Sequence, residues 1–136
     1  AQPNKLGDEG ITRFLDSHLE SELREVADEA SLESLAKDVI ARSLSEGIPR
    51  MGDVARSLGL SARSLHRRLA EDGLSFRTLT EATRKELAEG LLRDERYSLS
   101  EIAFLTGFSE QSAFNRAFKR WIGRSPAAHR SLLRAP

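Results

Sequence analysis

Apolar residues recur at three- and four-residue spacings along nearly the whole chain, and no segment of useful length alternates with the two-residue period of a strand. The pattern predicts an all-α protein. Residues 11–26 place Ile11, Phe14, Leu15, Leu19, Leu23 and Val26 on one face, and residues 28–31 break that register. Ser31 is a suitable N-cap for a second helix, with the stripe Leu32, Leu35, Ala36, Val39, Ile40 and Leu44; Gly47 and Pro49 stop it. Short helices follow over 51–58 and 62–72, the second capped by Ser61. Ser75 opens a longer one over 76–92, with Phe76, Leu79, Thr83, Leu87 and Leu91 inward. Ser98 and Glu101 make a capping box for the helix carrying Ile102, Ala103 and Leu105. Ser109 reads as the cap of a helix over 110–121, which Gly123 and Pro126 end, leaving a short helical turn over 127–133.

Within this pattern one motif occurs twice. Residues 54–61 read VARSLGLS and residues 102–109 read IAFLTGFS, each followed by a basic amphipathic run. Ala55, Gly59, Leu60 and Ser61 correspond to Ala103, Gly107, Phe108 and Ser109 at an offset of 48, and Leu65, Arg67 and Leu69 to Phe114, Arg116 and Phe118 at an offset of 49. A small Ala permits close helix approach, and Gly supplies the positive φ of a tight turn. The next apolar residue plugs the gap between helices, and a Ser opens the second helix. That is how a helix-turn-helix is written, and its duplication is far more specific than a single Ala-x-x-x-Gly.

Composition changes the picture only when taken by halves. The net charge of zero argues against a nucleic-acid partner. Yet residues 1–46 hold 5 Lys/Arg against 11 Asp/Glu, and residues 47–136 hold 16 against 10, so the half with the repeat is basic by +6. The chain has no Cys, hence no disulfide framework, thiolate nucleophile or Cys-based zinc site. His18, His66 and His129 are scattered singly, so no metal site, catalytic residue or cofactor is expected. No stretch approaches the length of a membrane span, and a cytoplasmic, nucleoid-associated location is expected. The chain starts without Met and reads as a piece of a longer protein.

On the first candidate recognition helix Leu65 and Leu69 face inward, leaving Arg63, Ser64, His66, Arg67 and Arg68 outside. On the second, Ala113, Phe114, Ala117, Phe118 and Trp121 build the inner face, leaving Gln111, Ser112, Asn115, Arg116, Lys119 and Arg120. Arg binds guanine edges and phosphate, while Gln and Asn pair with adenine edges. The stripe Phe104, Phe108, Phe114, Phe118 and Trp121 reads as core, and the bland alternative for the polar sets is a solvated charged face. Arg68 also has Glu71 and Asp72 within reach as ion-pair partners.

From Gly107 to Arg130 the sequence GFSEQSAFNRAFKRWIGRSPAAHR resembles the signature of AraC/XylS-type bacterial transcription regulators. The matching positions are Gly107, Phe108, Ser112, Phe114, Arg116, Phe118, Lys119, Gly123, Ser125 and Pro126; Arg84, Ala88 and Leu92 resemble the family's linking helix. The likeness covers about residues 31–133 and implies seven helices, with two helix-turn-helix units joined by a long helix and bound to promoter DNA. It implies base contacts from Arg63, His66 and Arg67 in the first unit and from Gln111, Ser112, Asn115 and Arg116 in the second. Phosphate contacts are expected from Ser61, Ser64, Arg68, Ser109, Lys119 and Arg120. His129 departs from the Tyr or Phe usual in the family, a change expected to alter packing of the last turn.

The same resemblance implies RNA polymerase as a second partner and a preceding regulatory domain through which a homodimer would form. Residues 1–30 are expected to be that domain's last helix or a linker, residues 31–93 the first unit with the linking helix, and residues 94–136 the second unit. The competing reading is a helical polymerase adaptor without base readout. An alkyl-transfer repair module is excluded for want of Cys.

Overall fold

A computed structural model describes Ile11, Phe14, Leu15 and residues 31–134. The predicted helix over 11–26 and the reading of residues 1–30 as linker lie, apart from those three residues, outside the described part. The three are helical; Ile11 and Leu15 are buried, and Phe14 lies against Gly90, where a Cβ would sit 2.8 Å from its ring.

Seven α-helices and no strand occur among the described residues: α1 (Leu32–Ser43), α2 (Met51–Ser57), α3 (Ala62–Glu71), α4 (Phe76–Leu92), α5 (Leu99–Leu105), α6 (Gln111–Ile122) and α7 (Pro126–Arg134). A 3-10 turn, Leu44–Glu46, ends α1. The caps follow the expected chemistry. Ser31, Ser61, Ser75 and Ser98 each accept a hydrogen bond from the backbone N–H three residues on, and Ser98 with Glu101 closes the capping box. Ser61→Ala is expected to cost about 1 kcal/mol, since it orphans an N–H at the start of α3; chemical denaturation would measure it. One cap differs from expectation. The N-cap of α6 is Glu110, with no side-chain cap bond, so Ser109 lies a residue outside the helix. The last element is a nine-residue helix rather than a turn, because Ser125 caps it and Pro126 occupies its first position at no hydrogen-bond cost.

Both helix-helix turns of the repeat have the same backbone chemistry. The N–H of Gly59 donates to Arg56 and that of Leu60 to Ala55 (2.8 Å); Gly107 donates to Phe104 and Phe108 to Ala103 (3.0 Å). These are paired bonds of a Schellman motif, in which the glycine must be left-handed: φ is +73° at Gly59 and +91° at Gly107. The Ala-x-x-x-Gly-apolar spacing is therefore the spacing of that motif.

One core joins both units. Ile40 and Leu44 of α1 and its 3-10 turn pack with Val54, Leu65 and Leu69 of the first unit. Leu79, Leu87 and Leu91 of α4 continue it to Ile102, Leu105, Phe114 and Phe118 of the second. Lys37 ties α1 to α4 through Glu86 (3.0 Å). Two expected core positions are exposed, Leu35 at 43% and Phe104 at 37%, because each falls at the edge of a helix stripe whose centre already meets the core.

Candidate nucleic-acid interface

Each candidate recognition helix is anchored by its apolar face. In α3, Leu65 and Leu69 are fully buried; in α6, Phe114 and Phe118 are, with Ala117 beside them. Phe108 seats the turn against α6, its ring 5.7 Å from Phe114 and 6.1 Å from Trp121. Rings at these separations and tilts pack edge against face, holding α6 at a fixed rotation.

That rotation decides which side chains face solvent. Arg63, His66, Arg67 and Arg68 on α3 are exposed, as are Gln111, Ser112, Arg116, Lys119 and Arg120 on α6. Glu71 and Asp72 form no ion pair with Arg68 among the described residues. Ser61 and Ser64 are engaged with each other: the Ser61 Oγ accepts from the Ser64 N–H (3.1 Å) and donates to its hydroxyl (3.0 Å). The Ser112 hydroxyl donates weakly to Glu110 (3.4 Å), and Ser109 is exposed.

Asn115 stands apart from the other expected readers. It is half-buried, and its Oδ1 is enclosed without a hydrogen-bond partner. It lies on the same side of α6 as Phe114 and Phe118 at their margin, one turn before Lys119. His129 is also half-buried, its ring 5.4 Å from Phe118, so the departure from the family's usual aromatic does fall in the packing of α7 on α6.

Three residues that position the site carry no local sequence signal for the role. Arg84 is buried in α4; its Nε donates to the Thr106 carbonyl oxygen (2.8 Å) and its guanidinium lies over the Phe108 ring at 3.9 Å. Burial holds it below the ordinary arginine value, Glu81 opposing that effect and Arg120 adding to it. Glu81, one turn earlier, accepts from the Trp121 indole N–H (2.8 Å). Arg130 of α7 is buried against the end of α4, its Nε donating to Leu92 (3.0 Å) and its Nη2 to Leu91 and Asp94. A guanidinium there gives the Leu92 carbonyl, in the last turn of α4, a hydrogen-bond donor and adds a second one to Leu91. Partners 22 to 40 residues away leave no mark on a residue's sequence neighbours.

Among the described residues no cluster of His, Asp or Glu could hold a metal ion, and no helix is long and apolar enough to cross a membrane.

A family model described as a helix-turn-helix domain matches residues 54–131, from the middle of α2 into α7. The HTH-type transcriptional regulator VirS of Mycobacterium tuberculosis is 34% identical over 130 residues, which cover 96% of this chain and 38% of VirS. The chain thus spans well under half the length of such relatives. The C-terminal domain of AraT, a response regulator from Geobacillus stearothermophilus, superposes with a TM-score of 0.61 at 31% identity, over 76% of this chain and 86% of that domain. The DNA-binding domain of the global transcriptional factor AdpA, solved in complex with a target DNA, gives 0.57 at 28% identity, over 74% and 93%. The duplicated turn, the linking helix and these likenesses agree: the chain belongs to the AraC-type helix-turn-helix family of DNA-binding transcription regulators.

Proposed function

We propose that α3 and α6 enter successive major-groove segments of promoter DNA and read its sequence there, as one monomeric module. The observation that carries this reading is the shared construction of the two helices. Each has the centre of its apolar face fully buried (Leu65 and Leu69, Phe114 and Phe118) and its opposite face lined with exposed cations, joined on α6 by the Gln111 amide and the Ser112 hydroxyl. The 17 residues of α4 span roughly 25 Å at 1.5 Å per residue. With the widths of the flanking helices, that suits the roughly 34 Å between major-groove faces on one side of B-DNA.

In this reading Arg63, His66 and Arg67 contact bases from α3, and Gln111, Ser112 and Arg116 from α6. Asn115 joins them by turning its amide outward on contact. Arg68, Lys119 and Arg120, with the Ser61, Ser64 and Ser109 hydroxyls, hold phosphates, which supply affinity through counterion release. The module acts in the cytoplasm, with RNA polymerase as a second partner and dimerisation left to a domain outside this chain.

Selection of bound duplexes from a random library, followed by anisotropy in a salt series, tests the proposal. Recovery of two sequence blocks about one helical turn apart supports two readers. A single block means that one unit only anchors on phosphate. No enrichment, with weak binding even at low salt, removes base readout and favours the polymerase adaptor. On the recovered site, Arg67→Ala or Arg116→Ala is expected to cost about 1–3 kcal/mol and relax preference at one position. A uniform loss on specific and random duplexes, with the salt slope reduced by about 1, would make that residue a phosphate contact instead.

A further inference from the structure

We propose that Glu81, Arg84 and Trp121 form, with Phe108, a latch that fixes the separation and relative rotation of the two DNA-reading helices, so that the module accepts one spacing between its two sequence blocks. This rests on the two-reader function above.

The four residues make a closed circuit. Glu81 accepts from the Trp121 indole N–H at 2.8 Å, and Trp121 packs on Phe108 at 6.1 Å between centroids. Phe108 lies under the Arg84 guanidinium at 3.9 Å, and Arg84 returns to Glu81 at 3.7 Å. Glu81 and Arg84 are one turn apart and so share a face of α4. Between them they hold both ends of the second unit's reader: the turn, through Phe108 and the Thr106 carbonyl, and α6 itself, through Trp121.

The first unit is fixed to the same helix from the other side. The chain passes from α3 into α4 through a four-residue link whose Leu74 N–H donates back to Leu69 (2.8 Å), and α1 is tied to α4 by Lys37 and Glu86. What remains to be fixed is the angle of the second unit about α4. The indole bond spans from α4 to the recognition helix without passing through α5, so it limits that angle directly. B-DNA demands such control, because one added base pair rotates the second block by about 35° and moves it by about 3.4 Å.

Trp121→Phe removes the N–H donor and keeps an aromatic ring on Phe108. Glu81→Ala removes the acceptor from the other side, and Glu81→Gln keeps an oxygen that can accept. The full chain is measured on the duplex recovered by selection, on versions with one or two base pairs inserted or deleted between the blocks, and on a duplex with the second block alone. The parent is expected to lose on the order of tenfold per altered base pair, comparable to one lost base contact. W121F and E81A are expected to lose less than about threefold, with affinity for the second block alone within about twofold of the parent, whereas E81Q keeps the parent profile.

Affinities taken relative to the second block alone are independent of the fraction folded. An unchanged profile in both W121F and E81A overturns the latch. So does an equal loss on every duplex including the single block, which would place the bond inside the reader unit alone. A parent that selects no two-block site defeats the two-reader function itself, a result visible before any variant is compared.

Discussion

Arg84→Ala is expected to lower the stability of this module by about 2–4 kcal/mol and its thermal midpoint by about 10–15 °C. Arg84 is 7% exposed, and its guanidinium makes two interactions that no shorter side chain reproduces. Its Nε–H is the partner of the Thr106 carbonyl, and a charge-assisted bond of that kind contributes about 1.5–3 kcal/mol. Its planar face lies 3.9 Å from the centre of Phe108, worth about 0.5–2 kcal/mol when water is excluded. Removing the side chain also leaves a cavity beside Thr106, itself fully buried with its hydroxyl turned back to Ile102. Lysine is not a substitute, because an ammonium cannot stack on the ring while donating sideways to the carbonyl. Thermal and urea unfolding of Arg84→Ala and Arg84→Lys would check this. Melting within about 2 °C of the parent in either variant would show that the clamp contributes little.

Gly107→Val and Gly59→Val, the same change at equivalent positions of the repeat, are expected to differ sharply. Both glycines sit at positive φ, where a side chain costs about 1–2 kcal/mol. At Gly59 nothing lies within 4 Å of an added Cβ, so that strain is nearly the whole effect. At Gly107 the Cβ would lie 3.3 Å from a Leu44 methyl, 3.6 Å from Ile48 and 3.6 Å from the Leu44 carbonyl. Leu44 is fully buried, so the branched methyls of valine would force the 3-10 turn away from α5, adding about 1–3 kcal/mol of overpacking. Gly107→Val should therefore cost about 2–5 kcal/mol in total. Equal losses at the two glycines would mean that Leu44 and Ile48 move aside freely.

These two expectations mark how far the sequence could be read. The helices α1 to α6, the two turns and their order were legible because each depends on neighbours in the chain, whereas α7 was expected only as a short turn. Leu65 and Leu69 had to lie on one face of α3, and Ser61 had to precede it. The outward sets on α3 and α6 were legible by subtraction from the same stripes, which is why Arg63, Arg67, Gln111 and Arg116 emerge exposed as expected. Ser109 misled because a serine in cap register does not guarantee that the helix begins after it; the chain stays extended through Glu110. Asn115 and Phe104 misled at stripe edges, where a rotation of some tens of degrees decides between core and solvent.

The sequence by itself determined the local chemistry of this protein: helix periodicity, caps, left-handed glycines and a duplicated cationic face. These are set by interactions within about five residues, such as the Schellman bonds from Gly59 and Leu60 back to Arg56 and Ala55. Only the tertiary structure decided how one unit sits on the other. Arg84 meets Thr106 and Phe108, Glu81 meets Trp121, and Arg130 meets Leu91 and Leu92 across gaps of 22 to 40 residues. Such pairings depend on the packing angle of whole helices, which the core sets collectively. The same glycine turn is consequently open at Gly59 and closed against Leu44 at Gly107.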